Sequence, residues 1–362
     1  MLIHEAKSPC RAFRAALLIP LLAAPPAFLV SQGAQEQTEK APAQAAPTSD
    51  TTTIDPDGTA HITRVLPVPR TISPQAQERV ATGATWAPGP NSPETPQLIA
   101  KARELYPVKD EAQTIAGIPV RIFTPLSVPA SKSDRVLINF HGGGFMSDAS
   151  SFLESIPIAN LTQTKVISVY YRLASQAPFP AAVDDAVAVY KEVLKTYKPS
   201  KIAIYGTSAG AILTGQVAVR LKHDGLPMPG ALGFFTGHAD FSRAGDSQAL
   251  YAVPGLMGAR PPESEATRPY MKGVADIKNP LVSPIYADLK GLPPTLCVTG
   301  TRDLFLSATS TFHRALLRAG VDSDLVVYDS MPHAFWFMIG TPESKEALDT
   351  MAAYFDRHLG GK

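Results

Sequence analysis

The chain has 362 residues with 33 basic and 32 acidic side chains, so its formal net charge at neutral pH is +1. A charge so close to zero argues against a nucleic-acid or anionic-membrane partner, because both are bound through a basic field, and against a strongly acidic disordered protein. Hydrophobic residues make up 45% of the sequence, which is ample material for a large core.

Residues 1–33 have the three parts of a secretory signal peptide. Lys7, Arg11 and Arg14 supply positive charge, residues 15–30 are apolar, and small residues then offer a cleavage site. The alternative is an uncleaved membrane anchor, but the apolar run is shorter than the ~20 residues of a membrane span and is interrupted by proline. We therefore expect an exported protein, periplasmic or secreted, with no stable membrane span after cleavage.

Residues 34–64 are predicted to be a disordered tether. They are rich in Gln, Ala, Pro and Thr and show no apolar period, so they cannot bury enough surface to offset the entropy lost on ordering. Cys10 lies inside the signal, which leaves Cys297 as the only cysteine of the mature protein. A disulfide framework is therefore excluded, and the fold must be stabilised by its core.

Residues 65–362 read as one α/β domain. Two short helices at 73–82 and 93–106 precede a pair of strands within 114–123 that turns at Gly117. Strand-length apolar runs then alternate with helical periods, which predicts a mostly parallel, doubly wound sheet. The runs are continuously apolar, as expected for strands covered on both faces. The predicted strands are 136–140, 166–170, 202–205, 231–235, 295–298 and 324–328, and the later helices are 181–197, 209–223, 307–319 and 344–358.

The strand at 202–205 leads into Gly206-Thr207-Ser208-Ala209-Gly210 and then into a helix. Glycine on both sides of a serine permits a turn too tight for side chains, which lifts the hydroxyl clear of the sheet at a helix N-terminus. The alternative is a glycine-rich turn with an incidental serine. The strand before and the helix after favour Ser208 as a nucleophile.

The strand at 136–140 is followed by His141 and three glycines. Such a run lets backbone N–H groups face a ligand without obstruction, and donors of this kind stabilise the oxyanion of acyl transfer. We predict an oxyanion hole from Gly143, Gly144 and Ala209, with His141 and Gly142 supporting the loop. A phosphate-cradling loop is the alternative, but no suitable lysine follows.

The general base and its acid should follow later strands, in the order Ser, Asp, His. His333 comes after the strand at 324–328, and Asp303 comes just after the strand at 295–298. Loops at the carboxyl ends of parallel strands share one rim, so both side chains can reach Ser208. Asp322, Asp324 and Asp329 are rivals of Asp303, but we predict the triad Ser208, Asp303 and His333.

At these residues the chain resembles the hormone-sensitive-lipase-like branch of the α/β-hydrolases, the bacterial esterases and lipases. The resemblance rests on His141-Gly142-Gly143-Gly144-Phe145, Tyr171-Arg172-Leu173-Ala174, Phe179-Pro180-Ala181-Ala182, Gly206-Thr207-Ser208-Ala209-Gly210, Leu292-Pro293-Pro294, Asp303 and His333. It implies an α/β-hydrolase fold with an eight-stranded sheet, a helical cap from about 73–110 and 237–280, and ester hydrolysis without a metal or cofactor. Ala334 and Leu306-Ser307-Ala308 depart from the family, which often has a glycine and a second acid there.

These features predict a serine carboxylic-ester hydrolase that acts on short-chain acyl esters through an acyl-enzyme. Candidates for the substrate pocket are Phe145, His238, Tyr251 and Trp336. The same triad would also serve a lactone or an amide, and a hydrolase fold that has become a non-catalytic binding protein is a further alternative. The sequence leaves the oligomeric state open.

Overall fold

The computed structural model describes residues 49–63, 67–82, 92–149, 151–251 and 269–360. The predicted signal peptide, most of the predicted tether and cap residues 252–268 lie outside these ranges. The chain divides into two compact units, Met1–Val65 and Leu66–Lys362. Within the described ranges, no helix combines the length and apolar character needed to cross a membrane.

The first unit contains a β-hairpin where the sequence predicts disorder. Strands β1 (Thr51–Ile54) and β2 (Ala60–Thr63) pair antiparallel, and the N–H of Gly58 donates to the carbonyl of Asp55 across the turn. The prediction of a disordered tether is therefore wrong for these residues. The reason is local: β-branched Thr and Ile favour extended backbone, and Asp-Pro-Asp-Gly is a strong turn sequence.

The second unit is built on an eight-stranded sheet in the order β10-β9-β8-β7-β5-β6-β4-β3. Strands β3 and β4 form an antiparallel pair that joins β6 antiparallel, and every other neighbouring pair is parallel. The strands are β3 (Val108–Ile115), β4 (Ile118–Pro125), β5 (Val136–Phe140), β6 (Lys165–Val169), β7 (Ile202–Thr207), β8 (Ala231–Phe235), β9 (Thr295–Arg302) and β10 (Ser323–Pro332). The predicted α/β fold and mostly parallel eight-stranded sheet are confirmed.

Helices cover both faces of this sheet and bury a hydrophobic cluster on each. One cluster is packed by α4 (Ala181–Val193), α5 (Ala209–His223) and α7 (Leu306–Arg318). The other is packed by α1 (Pro74–Ala81), α2 (Thr95–Leu105), α3 (Ser151–Thr162) and α8 (Pro342–Leu359). The central strands are buried on both faces, which explains their continuous apolar sequences.

Two further features of the fold also differ from the sequence prediction. Helix α3 was not predicted, because nearly all its residues are buried, Pro157 lies inside it, and it therefore lacks an amphipathic period. The predicted first cap segment also runs too far, since residues 108–110 belong to β3. In the second predicted cap segment, which we call the insert (residues 237–280), the described helix is α6 (Asp246–Tyr251).

Candidate active site

Ser208 stands on a strained turn between β7 and α5. Its backbone has φ 59° and ψ −119°, in the left-handed half of conformational space that non-glycine residues rarely adopt. The N–H of Ser208 lies 3.0 Å from the carbonyl oxygen of Phe235 and 3.1 Å from that of Thr236. These contacts hold the turn in place. The side chain is partly exposed, so its hydroxyl can meet a substrate.

The glycines around Ser208 are required by a close approach of strand β5. A Cβ on Gly206 would lie 2.3 Å from the carbonyl oxygen of Phe140, and one on Gly210 only 1.8 Å from the same atom. Both distances are well inside van der Waals contact. The sequence prediction that both glycines serve a tight strand-to-helix turn is thus given a physical cause.

Asp303 and His333 meet at the carboxyl ends of β9 and β10. His333 Nδ1 lies 2.9 Å from Asp303 Oδ1, and both side chains are buried. A carboxylate oxygen can only accept, so Nδ1 carries the proton and Nε2 is left as the basic nitrogen. The rival Asp324 instead pairs with Arg357, and Asp329 accepts from the hydroxyl of Thr71.

Thr236, at the end of β8, contacts all three members of the candidate triad. Its carbonyl accepts from the N–H of Ser208, its hydroxyl donates to Asp303 Oδ2, and its Oγ1 lies 3.0 Å from His333 Nδ1. The sequence prediction did not include Thr236. The sequence shows only that Thr236 directly follows the apolar strand at 231–235, which lies beside the strand that carries the serine.

The carboxylate of Asp303 is charged although it is buried. Burial would raise its pKa, but the charge and hydrogen bond of His333, the hydroxyl of Thr236 and the N–H of Phe305 together hold the pKa below the ordinary 3.8. Thr299 adds a further hydroxyl donor at 2.9 Å. Asp303 can therefore hold the imidazole and stabilise its cation at neutral pH.

The loop after β5 is shaped as an anion-binding turn. Gly143 has φ 116° and Gly144 has φ 63°, and a Cβ on Gly143 would lie 2.0 Å from the carbonyl oxygen of Ser147. Within the described part of the chain, the N–H groups of these two glycines have no acceptor. They are therefore available to a ligand, as the predicted oxyanion hole requires.

His141 packs against this loop and supports it. Its ring is buried, stacks on Tyr171 with 4.3 Å between ring centroids, and donates through Nδ1 to the carbonyl of Gly142. Burial lowers the pKa of His141, so the ring is neutral. Tyr171 in turn donates to the carbonyl of His141 at 2.6 Å. These contacts fit the predicted role of His141 in supporting the loop rather than the role of a general base.

A buried polar chain that sequence reasoning missed joins the serine turn to two other elements. Trp336 Nε1 donates to Thr207 Oγ1 at 3.2 Å, and Thr207 Oγ1 donates to Glu154 Oε1 at 2.6 Å. Thr207 directly precedes Ser208, Glu154 lies on α3, and Trp336 follows His333 by three residues. The chain therefore ties the serine turn to the histidine loop inside the core.

The structure corrects two of the four predicted pocket residues. Trp336 is fully buried and packs its ring against Phe235 and Phe335, so it is a core residue. Phe145 is also buried, with its ring stacked on Tyr270 at 3.7 Å, so it fastens the glycine loop to the insert. Both were misjudged because an aromatic residue after a strand does not reveal which way its ring points.

The other two pocket residues stay predictions. His238 is 5% exposed and contacts Phe305, whose ring lies 5.5 Å from that of His333. Burial lowers the pKa of His238 to about 4, so it is neutral at physiological pH. Tyr251 ends α6 and is partly buried, next to residues outside the described ranges. Over the described ranges, no group of three His, Cys, Asp or Glu side chains is placed to bind a metal.

Comparison with known proteins places the chain among hydrolases. Residues 137–337 match the family model described as alpha/beta hydrolase fold. An acetyl-hydrolase of Streptomyces hygroscopicus is 29% identical over 236 residues, which is 64% of this chain and 79% of that protein. An esterase of Acinetobacter venetianus is 29% identical over 239 residues, covering 62% and 75% of the two chains.

Solved structures agree with these relatives. The crystal structure of esterase E25 superposes with a TM-score of 0.73 and 33% identity, over 82% of this chain and 98% of that one. An esterase from the bacterial hormone-sensitive lipase family superposes with a TM-score of 0.64 and 30% identity, over 74% and 99%.

Proposed function

The chain belongs to the alpha/beta-hydrolase family, in its hormone-sensitive-lipase-like branch, and is a carboxylesterase-type hydrolase; from this premise we propose that it cleaves short-chain acyl esters through an acyl-enzyme on Ser208. The observation that carries the mechanism is the set of contacts around Thr236, which gathers Ser208, Asp303 and His333 at one rim of the sheet.

In the first step, Ser208 Oγ attacks the ester carbonyl carbon while His333 Nε2 takes the hydroxyl proton. The negative charge that forms on the carbonyl oxygen is stabilised by the N–H groups of Gly143, Gly144 and Ala209. The C–O bond to the alcohol then breaks, and His333 returns its proton to the leaving oxygen. Throughout, Asp303 accepts from Nδ1 and stabilises the imidazolium.

In the second step, water attacks the acyl-serine and gives a proton to His333. The bond between the acyl carbon and Ser208 Oγ breaks, Oγ recovers its proton from His333, and the carboxylic acid leaves. The proton that leaves with the alcohol is replaced by one from water, so Ser208 and His333 end the cycle in their starting protonation states. No metal or cofactor takes part in these steps.

The preference for short acyl chains is supported by the relatives and by the apolar surroundings of the base. Two relatives carry the name acetyl-hydrolase, and an acetyl group has two carbons. Phe305 lies edge-on to His333, His238 contacts Phe305, and Phe241 contacts His238. These rings give the base an apolar surrounding, which suits a small acyl group.

The decisive test is the turnover of p-nitrophenyl acetate by Ser208→Ala. We expect a loss of about 10⁴-fold or more in kcat, because residual catalysis would come from the oxyanion hole alone. The matched control is Ser133→Ala, an exposed serine whose hydroxyl bonds locally to Ala130, which should keep full activity. Full activity in Ser208→Ala would refute the acyl-enzyme mechanism.

Three further assays of the wild-type protein test the alternatives. A series of p-nitrophenyl esters from acetate to palmitate should show kcat/KM falling with chain length, and a rise would contradict the short-chain proposal. A lactone and an anilide panel measures ring and amide cleavage on the same triad. Labelling of Ser208 by a fluorophosphonate distinguishes a working enzyme from a binding protein, which would not react.

A further inference from the structure

Asp303 sits on a tight turn between β9 and α7, which we call the acid turn (residues 303–307). Inside the turn, the N–H of Phe305 donates to Asp303 Oδ1 and the N–H of Leu306 donates to the Asp303 carbonyl. Helix α7 begins at the end of this turn, yet no side chain of its own segment caps it. The first turn of α7 therefore needs a hydrogen-bond partner from elsewhere.

That partner comes from the insert. Ser247 Oγ accepts from the N–H of Ser307 at 3.0 Å and donates to the carbonyl of Leu304 at 2.8 Å, so one hydroxyl fastens both sides of the acid turn. In return, Ser307 Oγ accepts from the N–H of Ser247 at 3.2 Å and donates to the carboxylate of Asp246. We call these three residues, Asp246, Ser247 and Ser307, the serine clamp.

The clamp is tightly fitted. Ser247 is 4% exposed, and Leu304 beneath it is fully buried. A Cβ on the neighbouring Gly245 would lie 2.2 Å from Ser307 Cβ, so the backbone of Gly245 packs directly against the side chain of Ser307. A second link lies two residues further along α7, where Thr309 Oγ1 accepts from the N–H of Gly237 at 3.2 Å. The insert therefore holds the acid turn in place through these hydrogen bonds.

We propose that the serine clamp is a positioning device for Asp303, through which the insert fixes the carboxylate against His333. None of its residues contacts the reacting atoms. The inference rests on the proposed function, because Asp303 has to be the partner of the base. The proposal concerns the stabilisation of the imidazolium, so it is tested by an effect on kcat that is separate from any effect on KM.

The test uses Ser247→Ala in the full chain with p-nitrophenyl acetate as substrate. A carboxylate displaced by a fraction of an ångström stabilises the imidazolium less, so we expect kcat to fall about tenfold while KM stays within about twofold. An imidazolium without its full partner also loses its proton more readily. The acid limb of the pH profile of kcat should therefore move to lower pH.

The matched control is Ser242→Ala, which lies in the same insert. Its hydroxyl donates to Asp240 and has no contact with the acid turn, so its pH limb should coincide with that of the wild-type protein. If Ser247→Ala fails to fold, the partly exposed Ser307→Ala removes the hydroxyl that bonds Asp246 and the N–H of Ser247, and it should shift the limb in the same direction. A change in Tm with an unmoved limb in both clamp variants would overturn the proposal.

A double-mutant cycle shows whether the clamp acts through Asp303. In the Asp303→Asn background the effect of Ser247→Ala on kcat should vanish, because the group being positioned is gone. A full additional tenfold loss would mean that the clamp acts by another route, and the proposal would fail. An inactive wild-type protein that also resists the fluorophosphonate would instead refute the proposed function, so the two failures are distinguishable.

Discussion

At the scale of single residues, the site depends on how a buried carboxylate is kept charged beside an imidazole. Asp303 has hydrogen bonds from His333, Thr236, Thr299 and the N–H of Phe305. Each donor favours the charged form and offsets the cost of burial. The carboxylate is therefore held in one orientation, in which Oδ1 accepts a hydrogen bond from His333 Nδ1.

Replacing this anion should remove most of the activity. Asp303→Asn places an amide beside Nδ1, which can turn the imidazole to the tautomer that no longer has Nε2 as a base, so we expect kcat to fall about 10⁴-fold. The measurement is steady-state hydrolysis of p-nitrophenyl acetate. Asp329→Asn makes the same chemical change at an exposed position and should stay active; a comparable loss there would contradict the assignment of Asp303.

Thr236 should matter more than a threonine at a strand end usually does. Thr236→Val keeps the shape but removes the hydroxyl between Asp303 and His333, so we expect kcat/KM to fall about tenfold, in line with a lost hydrogen bond to a charged group. Thr295→Val is the control, since its buried hydroxyl bonds to the carbonyl of Pro293 away from the site. Equal effects in the two variants would reduce Thr236 to a structural residue.

The lowered pKa of Asp303 also predicts how stability depends on pH. A carboxyl whose folded-state pKa lies below 3.8 stabilises the fold fully above that value and loses this contribution as the pH falls through the folded-state value. Between about pH 5 and about pH 2, the wild-type protein should therefore lose more unfolding free energy than Asp303→Asn, which takes up no proton there. Urea denaturation at both pH values measures this, and equal losses would contradict the ionised state.

At the scale of elements, the serine turn depends on how closely β5 approaches β7 and α5. Phe140 pairs with Gly206 in register, and its carbonyl oxygen occupies the space where side chains at 206 and 210 would begin. The same crowding places Ser208 at the first turn of α5. Sequence reasoning found the glycines but not the carbonyl that makes them necessary.

Two glycines of α5 should therefore respond in opposite ways to the same substitution. Gly210→Ala forces a Cβ against the Phe140 carbonyl and should cost about 3 kcal/mol or more of unfolding free energy. Gly215→Ala meets no atom closer than 3.5 Å and should gain up to about 1 kcal/mol from helix propensity. Thermal and urea unfolding of both variants test this, and a stable Gly210→Ala would refute the packing argument.

Most elements could be predicted from the sequence because their patterns are local. Helix α5 and strands β5 and β8 match their predicted limits, since burial on both faces makes a strand apolar without a break. Helix α3 could not be found in this way, because its burial and its internal Pro157 erase the helical period. The hairpin β1–β2 was hidden for the opposite reason, because its exposed residues show no apolar pattern.

At the scale of the whole molecule, the sheet and all candidate catalytic groups lie in the unit Leu66–Lys362. The other unit begins with the sequence that predicts export, and we propose that the protein is periplasmic or secreted. The near-neutral charge fits this proposal, since an exported esterase for small esters needs no basic surface.

Export is tested by expressing the full chain in a Gram-negative host. We expect activity in the periplasmic or medium fraction and a product shortened by about 33 residues, as read by mass spectrometry of the mature N-terminus. Leu18→Arg interrupts the apolar run and should retain the full-length protein in the cytoplasm. An uncleaved wild-type chain in the cytoplasmic fraction would refute the signal peptide.

The proposed chemistry rests on residues whose spacing can be read directly from the sequence. The glycines around Ser208, the glycine run after His141 and the order of Asp303 and His333 are all short patterns tied to strand ends, and parallel strands bring their ends to one rim. The residues that surround the candidate triad are known only from the tertiary structure. Thr236 contacts Asp303 across 67 residues and His333 across 97, and Ser247 reaches Ser307 across 60. Such contacts depend on packing between distant segments, and no local pattern in the chain encodes them.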